Sequence, residues 1–525
     1  MADVQNENEG AATRVFSGRR RILCSAARVD ASNVEDMLSR ALVRHALNAA
    51  DEDYLHNYFL GRQPVLLREK EVRPSINNKV VENRAYQIAK DRADSLVGEP
   101  VTYSAHGAGA THEEGADATD EVSHRVQVLN DRCTAADKHA CDLELVQWMC
   151  EVGVGYRLVM PTEEVAGEGA ERPFRVAALD PRSTFVVYRN DAFREPLFAA
   201  AAVRDEVTGV VRHTVYTASE RFVLEGGLLA ESGPNPLGMV PIIEYDANPE
   251  RMGVFEAVLG IFDAINEIES NRVDGVAQFV QNLLVFENVD FDHDDWDEMC
   301  RKGAVLITST GEVAAKVYSV SAELNQQQTQ TLVDSLYKNA LSICGMPFNV
   351  GGSASTSDTG VAVTMRDGWS NSENRCKETE AMFKRSERRF LDCALAILET
   401  SEHLALSSRE VEIKFTRRNY EALQSKAQVF STLAGTGKLH LRTCIEQCGL
   451  FPDPESVYDQ AVSYIEEQDE RKRQQDERQL AIQQATAGGD AGVDSKGTTD
   501  DGGVTAKGQR TRPATKKRSQ REEDE

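Results

Sequence analysis

A chain of 525 residues, 41% apolar and 27% charged, has the composition of an ordinary globular protein and length enough for two to four domains. It holds no run of about 18 apolar residues, which excludes a transmembrane helix. The net charge of −26 argues against a surface built to grip phosphates through concentrated Lys and Arg, but not against one past which a polyanion slides without sticking.

Residues 1–28 mix polar and basic groups, Arg19, Arg20 and Arg21 among them, and are expected to form a flexible N-terminus. Met1 to Gly18 lacks an apolar core followed by a cleavage site, an expectation against secretion. Apolar spacing predicts a helix over 33–60 and another over 80–97. In the second, Val81, Ala85, Ile88, Ala89 and Leu96 share a face, and Gly98 and Pro100 provide the stop. The stretch 106–120 is rich in Gly, Ala and acid and reads as an exposed loop, with one helix following over 120–152. From Gly155 to Tyr245 the period falls to two. Strands are predicted at 156–160, 185–188, 197–204, 210–217 and 221–224, an antiparallel meander.

A helical centre follows. Val254, Val258, Ile261, Ile265 and Ile268, extended by Val273, Val276, Val280 and Leu283, predict a helix over 253–283 of roughly 45 Å. The insert 284–320 carries predicted strands at 284–287, 304–308 and 313–318 around an acidic patch. In that patch Trp296 stands among Asp292, Asp294, Asp295 and Glu298, either as one packed ring in a solvated loop or as an interaction anchor. A second helix, 321–345, places Leu332, Leu336, Ala340 and Ile343 on one side and ends at Gly345 and Pro347. The loop 346–357, with Gly351, Gly352 and several hydroxyl residues, leads to a third helix that reaches about Thr400. Along it Ala362, Trp369, Cys376, Phe383, Phe390 and Ile397 recur every seventh residue, which requires a fixed seam against neighbours. A strand at 411–415 and helices near 419–434, 441–448 and 454–479 complete the ordered part, and from about Ala485 the chain reads as a disordered tail.

Motifs for chemistry are missing. Gly435-Thr436-Gly437-Lys438 fails as a phosphate loop because Thr432 stands at its first Gly position and Leu439 replaces the hydroxyl residue. Gly107-Ala108-Gly109 opens no βαβ unit, and neither a nucleophile elbow nor a His-Glu-x-x-His helix occurs. Asp292, Asp294 and Asp295 lack the Gly and terminal Glu of a calcium loop. His440, Cys444 and Cys448 share a helix face and could begin a zinc site, but Leu441 and Ile445 make that face equally suited to a core. The ten cysteines read as buried thiols in a reducing compartment. No enzyme, metal or cofactor is expected.

Several segments, in order, carry a resemblance. They are Asn77-Asn78 through Asn83 with the helix ending Val97-Gly98-Glu99-Pro100-Val101, and Leu237-Gly238-Met239-Val240-Pro241-Ile242-Ile243-Glu244-Tyr245 leading to Ile261-Phe262-Asp263-Ala264-Ile265-Asn266 and Ser270. Asp358-Thr359-Gly360-Val361-Ala362 and Val411-Glu412-Ile413-Lys414-Phe415 complete the set. Over roughly residues 40–470 the chain resembles the portal proteins of tailed bacteriophages, the siphovirus-type head-to-tail connectors.

That resemblance implies a predominantly helical α+β portal fold, with wing, stem, clip and crown regions around a central channel. The wing would take 29–252, with a long kinked helix and return strand over 358–418; the stem helices would be 253–283 and 321–345, and the clip 284–320. The crown would take 419–470, and a helical extension with a disordered tail 471–525. Residues 346–357 would be a tunnel loop facing DNA through Met346, Phe348, Asn349, Val350, Gly351, Gly352, Ser353 and Ser355. Asp292, Asp294, Asp295, Trp296 and Glu298 would form the clip's partner interface.

It also implies a ring of usually twelve subunits at one capsid vertex of the virion, assembled in the host cytoplasm, that passes double-stranded DNA without sequence preference. Implied partners are the terminase large subunit, head-completion or adaptor proteins, and major capsid and scaffolding proteins, with no membrane. The acid-rich stretch 106–120 and the tail after 470 depart from the family pattern. Two other readings stand beside this one: a scaffold or adaptor of the capsid, and a metal-dependent nuclease or nucleotidyl hydrolase built on the acidic patch.

Overall fold

A computed structural model describes residues 18–71, 74–105, 116–162, 172–280, 283–287, 316–320, 326–347, 369–415, 423–448 and 454–487. The chain is of mixed class. Two compact units divide it, Met1–Pro454 and Glu455–Glu525.

In the first unit β1 (Ile22–Cys24) precedes α1 (Val34–Phe59), α2 (Arg84–Val97), β2 (Thr102–Ala105), α3 (Ala116–Ala135) and α4 (Lys138–Val152). Eight strands follow: β3 (Val154–Pro161), β4 (Phe174–Leu179), β5 (Thr184–Arg189), β6 (Pro196–Arg204), β7 (Val211–Thr217), β8 (Glu220–Glu225), β9 (Leu228–Pro234) and β10 (Ile242–Asp246). Then come α5 (Leu259–Val280), β11 (Leu283–Glu287), β12 (Lys316–Val320), α6 (Gln326–Cys344), α7 (Trp369–Glu402), β13 (Val411–Lys414), α8 (Leu423–Gly435) and α9 (Leu441–Cys448). In the second unit α10 (Pro454–Ala487) is one helix of 34 residues, about 50 Å long. It runs past Ala485, where the sequence predicts only a tail.

The meander holds for β5 to β9, whose sheet has the order β1-β5-β6-β7-β8-β9. It does not hold for the strand expected at 156–160. That strand is β3, and it pairs antiparallel with β10 and β4 in a separate sheet. β4, β9 and β10 were not anticipated. Their neighbours Pro, Gly and Ser mask the alternation.

The N-terminal expectation gives way from Gly18 onward. Ile22–Cys24 pairs parallel with β5, and Arg19 is buried. Asn48 fixes the entry to β1, since its Nδ2 donates to Arg20 O at 2.8 Å and its Oδ1 accepts from Arg20 N at 2.9 Å. A three-residue strand is too short to show a period, so only burial reveals it.

The helix expected over 120–152 is two helices. Asp137, at φ 54, breaks it in the left-handed region, and the described part of 106–120 joins α3 from Ala116. The helix expected from Val80 starts at Arg84. Asn83 caps it by accepting from Tyr86 N, and residues 81–83 lie outside any helix. α4 ends at Gly153, φ 88, where a Cβ would lie 2.3 Å from Arg251 O. No other residue fits there.

Two cores result. The smaller lies between α1 and the six-stranded sheet and holds Val34, Leu38, Ala41, Phe185, Phe198 and Phe222. The larger joins α2 to α7 and includes Cys376, Phe383, Phe390 and Ile397, four of the predicted seven-residue positions. Burying each Phe contributes about 1.5–3 kcal/mol. Ala362 lies outside the described residues.

Within the smaller layer α1 also buries a polar stripe: His45, Asn48 and Glu52. Among the described residues no partner satisfies Glu52 Oε2, and burial pushes its carboxyl up to about 8 against the pull of Arg19 and Arg251. Between the unfolded value of 4.5 and about 8 the unfolded chain is ionised and the folded one is not, so stability falls as pH rises through that window. Glu52→Gln is therefore expected to melt above the parent at pH 8, with the gap closing near pH 4.5 in thermal scans.

Candidate functional site

α5 and α6 form a pair, with a two-stranded ribbon between them in the chain. β11 and β12 pair antiparallel from Leu283↔Val320 to Glu287↔Lys316. Arg272 of α5 donates to Gln326 Oε1 at 3.1 Å and Gln330 Oε1 at 2.9 Å on α6. The C-terminal part of the first helix thus meets the N-terminal part of the second. The first helix begins later than predicted, since the chain enters α5 through a 3-10 turn at Glu256–Val258; the second is described from Gln326, and 321–325 lie outside the described residues.

One face of α5 is polar and buried: Asn266, Ser270 and Asp274, at intervals of four. Each accepts an amide from the extended segment that crosses it. Glu82 N donates to Asn266 Oδ1 at 2.8 Å, Val80 N to Ser270 Oγ at 3.0 Å, and Asn78 N to Asp274 Oδ1 at 2.7 Å. Alternate amides of a strand and every fourth residue of a helix recur at comparable distances, about 6.6 and 6.0 Å, so the two match over three contacts. Asp274 also takes Asn78 Nδ2 at 2.9 Å, Arg68 at 3.1 Å and Lys70. Burial raises its pKa, but Lys70 and the two Asn78 donors outweigh this and hold the carboxyl at about 2.

α6 is fixed at its far end by Arg92 of α2. This buried guanidinium donates to Cys344 O at 2.8 Å and Gly345 O at 3.0 Å, and lies 3.6 Å from Met346 Sδ. A cation here satisfies the helix's last carbonyls and opposes the negative end of its dipole. Met346 is only 5% exposed. It belongs to the core and is removed from the predicted DNA-facing set, because Arg92 and the end of α6 draw it inward. Phe348, Asn349, Val350, Gly351, Gly352, Ser353 and Ser355 lie outside the described residues, as do Asp292, Asp294, Asp295, Trp296 and Glu298.

The larger core also holds a buried charge cluster that sequence reasoning missed. Arg157 of β3, fully buried, donates to Glu387 Oε2 of α7 at 2.9 Å and to Tyr245 OH at 2.9 Å, and binds Asp142. Lys138 bridges Asp142 at 2.6 Å and Glu387 at 2.9 Å. Tyr103 and Tyr245 donate to Glu387 at 2.6 and 2.7 Å. The Arg157 guanidinium stands 4.9 Å from the ring centres of both Tyr245 and Phe390. Burial raises the Glu387 pKa, but Arg157 and Lys138 prevail and hold it at about 2.

Two opposed charge pairs make a neutral, buried structural cluster, in which Arg157 Nε alone finds no acceptor among the described residues. The chemistry of a catalytic site, an accessible group with a shifted pKa, is not what this arrangement offers. Cys444 and Cys448 are buried and free, and among the described residues no group of three or more His, Cys, Asp or Glu is placed to hold a metal. No helix among the described residues is long and apolar enough to cross a membrane.

Residues 44–479 match the family described as phage portal protein, SPP1 Gp6-like. The chain belongs to this portal family. No curated protein matches it. The match spans α2 to α9 and so takes in both the strapped helix and the buried cluster of this portal chain. Asn78, Asn83, Asn266 and Ser270, which the sequence singled out only by resemblance, acquire a physical role as the polar rungs and cap of the strap. Asp274 and Arg92 could have been found only from the polar spacing of four on an apolar helix and from a lone Arg on the apolar face of α2.

Proposed function

We propose that the chain assembles into a closed ring, a dodecamer, at a single capsid vertex, and that the ring is the channel for packaging and ejection of double-stranded DNA. The match to the portal family over residues 44–479 carries this reading. Val273 and Val276 on α5 and Leu332 and Ile343 on α6 support it: they are apolar, yet 41–56% exposed in one chain. Neighbouring copies would cover them.

In this reading 253–283 and 321–345, which contain α5 and α6, are the stem helices, 284–320 is the clip, and 29–252 is the wing. The long kinked helix over 358–418 with β13 returns to the wing, and the crown follows over 419–470. The net charge of −26 suits a bore that holds DNA in no fixed register. The clip, through Asp292, Asp294, Asp295, Trp296 and Glu298, would dock the terminase large subunit and then head-completion or adaptor proteins, while capsid and scaffolding proteins surround the ring. Energy for packaging would come from a separate ATPase. The loop from Phe348 to Ser355 would face DNA; deleting Gly351 to Ser355 is expected to leave rings intact and lower DNA filling of heads, measured by packaged DNA per particle.

Electron-microscopy class averages of the purified chain test the main reading. Annular particles with a central hole are expected, and a monomer under all assembly conditions overturns it. A scaffold or adaptor would be smaller and mostly helical, without a six-stranded sheet such as β1-β5-β6-β7-β8-β9.

A further inference from the structure

The six-stranded sheet ends in two unlike surfaces. At one end the turn between β5 and β6 carries Phe193, 86% exposed. Arg189 and Arg194 flank it, and neither guanidinium has a hydrogen bond or ion pair among the described residues. The turn is held rigidly. Asp191 Oδ1 accepts from Phe193 N at 3.0 Å and from Arg194 N at 2.7 Å, and Asn190 N donates to Cys24 O at 3.0 Å. Arg194 sits at φ 52, a conformation that costs a non-glycine residue about 1–2 kcal/mol. An exposed aromatic beside arginines on a fixed turn has the composition and preorganisation of an interface hot spot.

The nine residues of β6 put the other end about 30 Å away. There the β6–β7 turn exposes Val207 by 95%, and Val203 and Leu228 flank it on one sheet face through the register Val203↔Arg212↔Glu225↔Leu228. Glu225 holds Arg212 at 2.6 Å, so Asp205 and Glu206 outnumber Arg204 at the tip. Hydrogen bonds from Thr208 and Val207 lower the Asp205 pKa, keeping that carboxylate ionised.

We infer that the Phe193 turn of one copy docks on the Val203, Val207 and Leu228 end of the same sheet in the next copy. The apolar end accepts the ring, and the net charges have opposite sign: Arg189 and Arg194 outnumber Asp191 on the turn, as Asp205 and Glu206 outnumber Arg204 at the tip. A second copy is the occupant because each end supplies what the other lacks. Chains of net charge −26 repel one another, so a contact between copies gains most where cations of one meet anions of the next. Two different surfaces at opposite ends make the contact heterologous, the head-to-tail kind that closes rings. This inference rests on the ring reading and adds which surfaces meet.

Cysteine trapping tests it on the full chain. A Phe193→Cys/Val207→Cys variant is expected to give a ladder of covalent multimers on mild oxidation, whereas either single variant and the parent remain monomeric on denaturing gels. Phe193→Ala is expected to raise the concentration for half-assembly at least about tenfold with an unchanged melting temperature, since Phe193 belongs to neither core. Rings without a ladder, or self-linking of Phe193→Cys alone, overturn the docking and leave the ring reading standing. An unchanged assembly midpoint with weakened DNA binding in Phe193→Ala overturns it in favour of a DNA contact. Absence of any assembled particle from the parent chain overturns both.

Discussion

Arg157→Met is expected to destabilise the first unit by about 3–5 kcal/mol, lowering its melting temperature by about 3–5 °C. Asp142 and Glu387 would keep only Lys138 as a counter-charge in a place without water. The loss comes from the orphaned carboxylates, more than from the ion pairs themselves. Adding Glu387→Gln to Arg157→Met should therefore recover part of the loss, and a double-mutant cycle by chemical denaturation measures that coupling. Equal, additive losses would contradict the account.

The same cluster sets an acid limit. The Glu387 pKa is about 2 folded and 4.5 unfolded. A depressed carboxyl contributes stability that is present above 4.5 and is lost as pH falls toward 2. Without Arg157 the folded pKa rises, so the variant has less of this contribution to lose. Its deficit relative to the parent should narrow below about pH 4, which denaturant titrations at pH 7 and pH 3 read directly.

How much of this was legible follows from what kind of signal each residue gives. α1 and the seam of Cys376, Phe383, Phe390 and Ile397 could be read because apolar spacing alone fixes a helix face. Asn83 as the cap of α2 escapes such a reading, because Val81 extends the apolar face past the true start at Arg84. The break at Asp137 was hidden because Asp-Lys in an otherwise helical run carries no glycine or proline. The pairing of β3 with β10 spans about eighty residues, and alternation within a strand cannot name its partner. Lys138, Asp142, Arg157 and Glu387 read as solvated charges until the fold brings them together, since nothing local distinguishes a buried ion pair from an exposed one. The three acceptors on α5 stood in plain view as a spacing of four. Their meaning depended on the strap 78–82, whose amides are invisible in a sequence.

Asp274→Ala is expected to cost about 3 kcal/mol and to free the strap from α5. The carboxylate accepts from Asn78 N and Nδ2 and faces Arg68 and Lys70. Removing it leaves two part-buried donors and Lys70 without their acceptor, while Arg68 keeps Glu267 and Asn271. The effect should spread along the ladder. The amides of Asn78, Val80 and Glu82 gain protection only through α5, so their hydrogen exchange should accelerate together, while that of Leu96 in α2 should change only with global stability. Asp274→Asn retains an acceptor for Asn78 N and should recover strap protection without restoring the charge contacts.

The folded pKa of about 2 against 3.8 unfolded places the parent's own loss of this contact below about pH 4. The strap should loosen in the parent at pH 2–3 as it does in Asp274→Ala at pH 7. Because α5 also bears the exposed Val273 and Val276, a loosened strap should disorder the face those residues present. Asp274→Ala should then assemble into fewer rings per folded chain than Arg157→Met compared at equal stability. Equal ring yields for the two would show that the strap only stabilises the fold, with no part in presenting α5 to a neighbour.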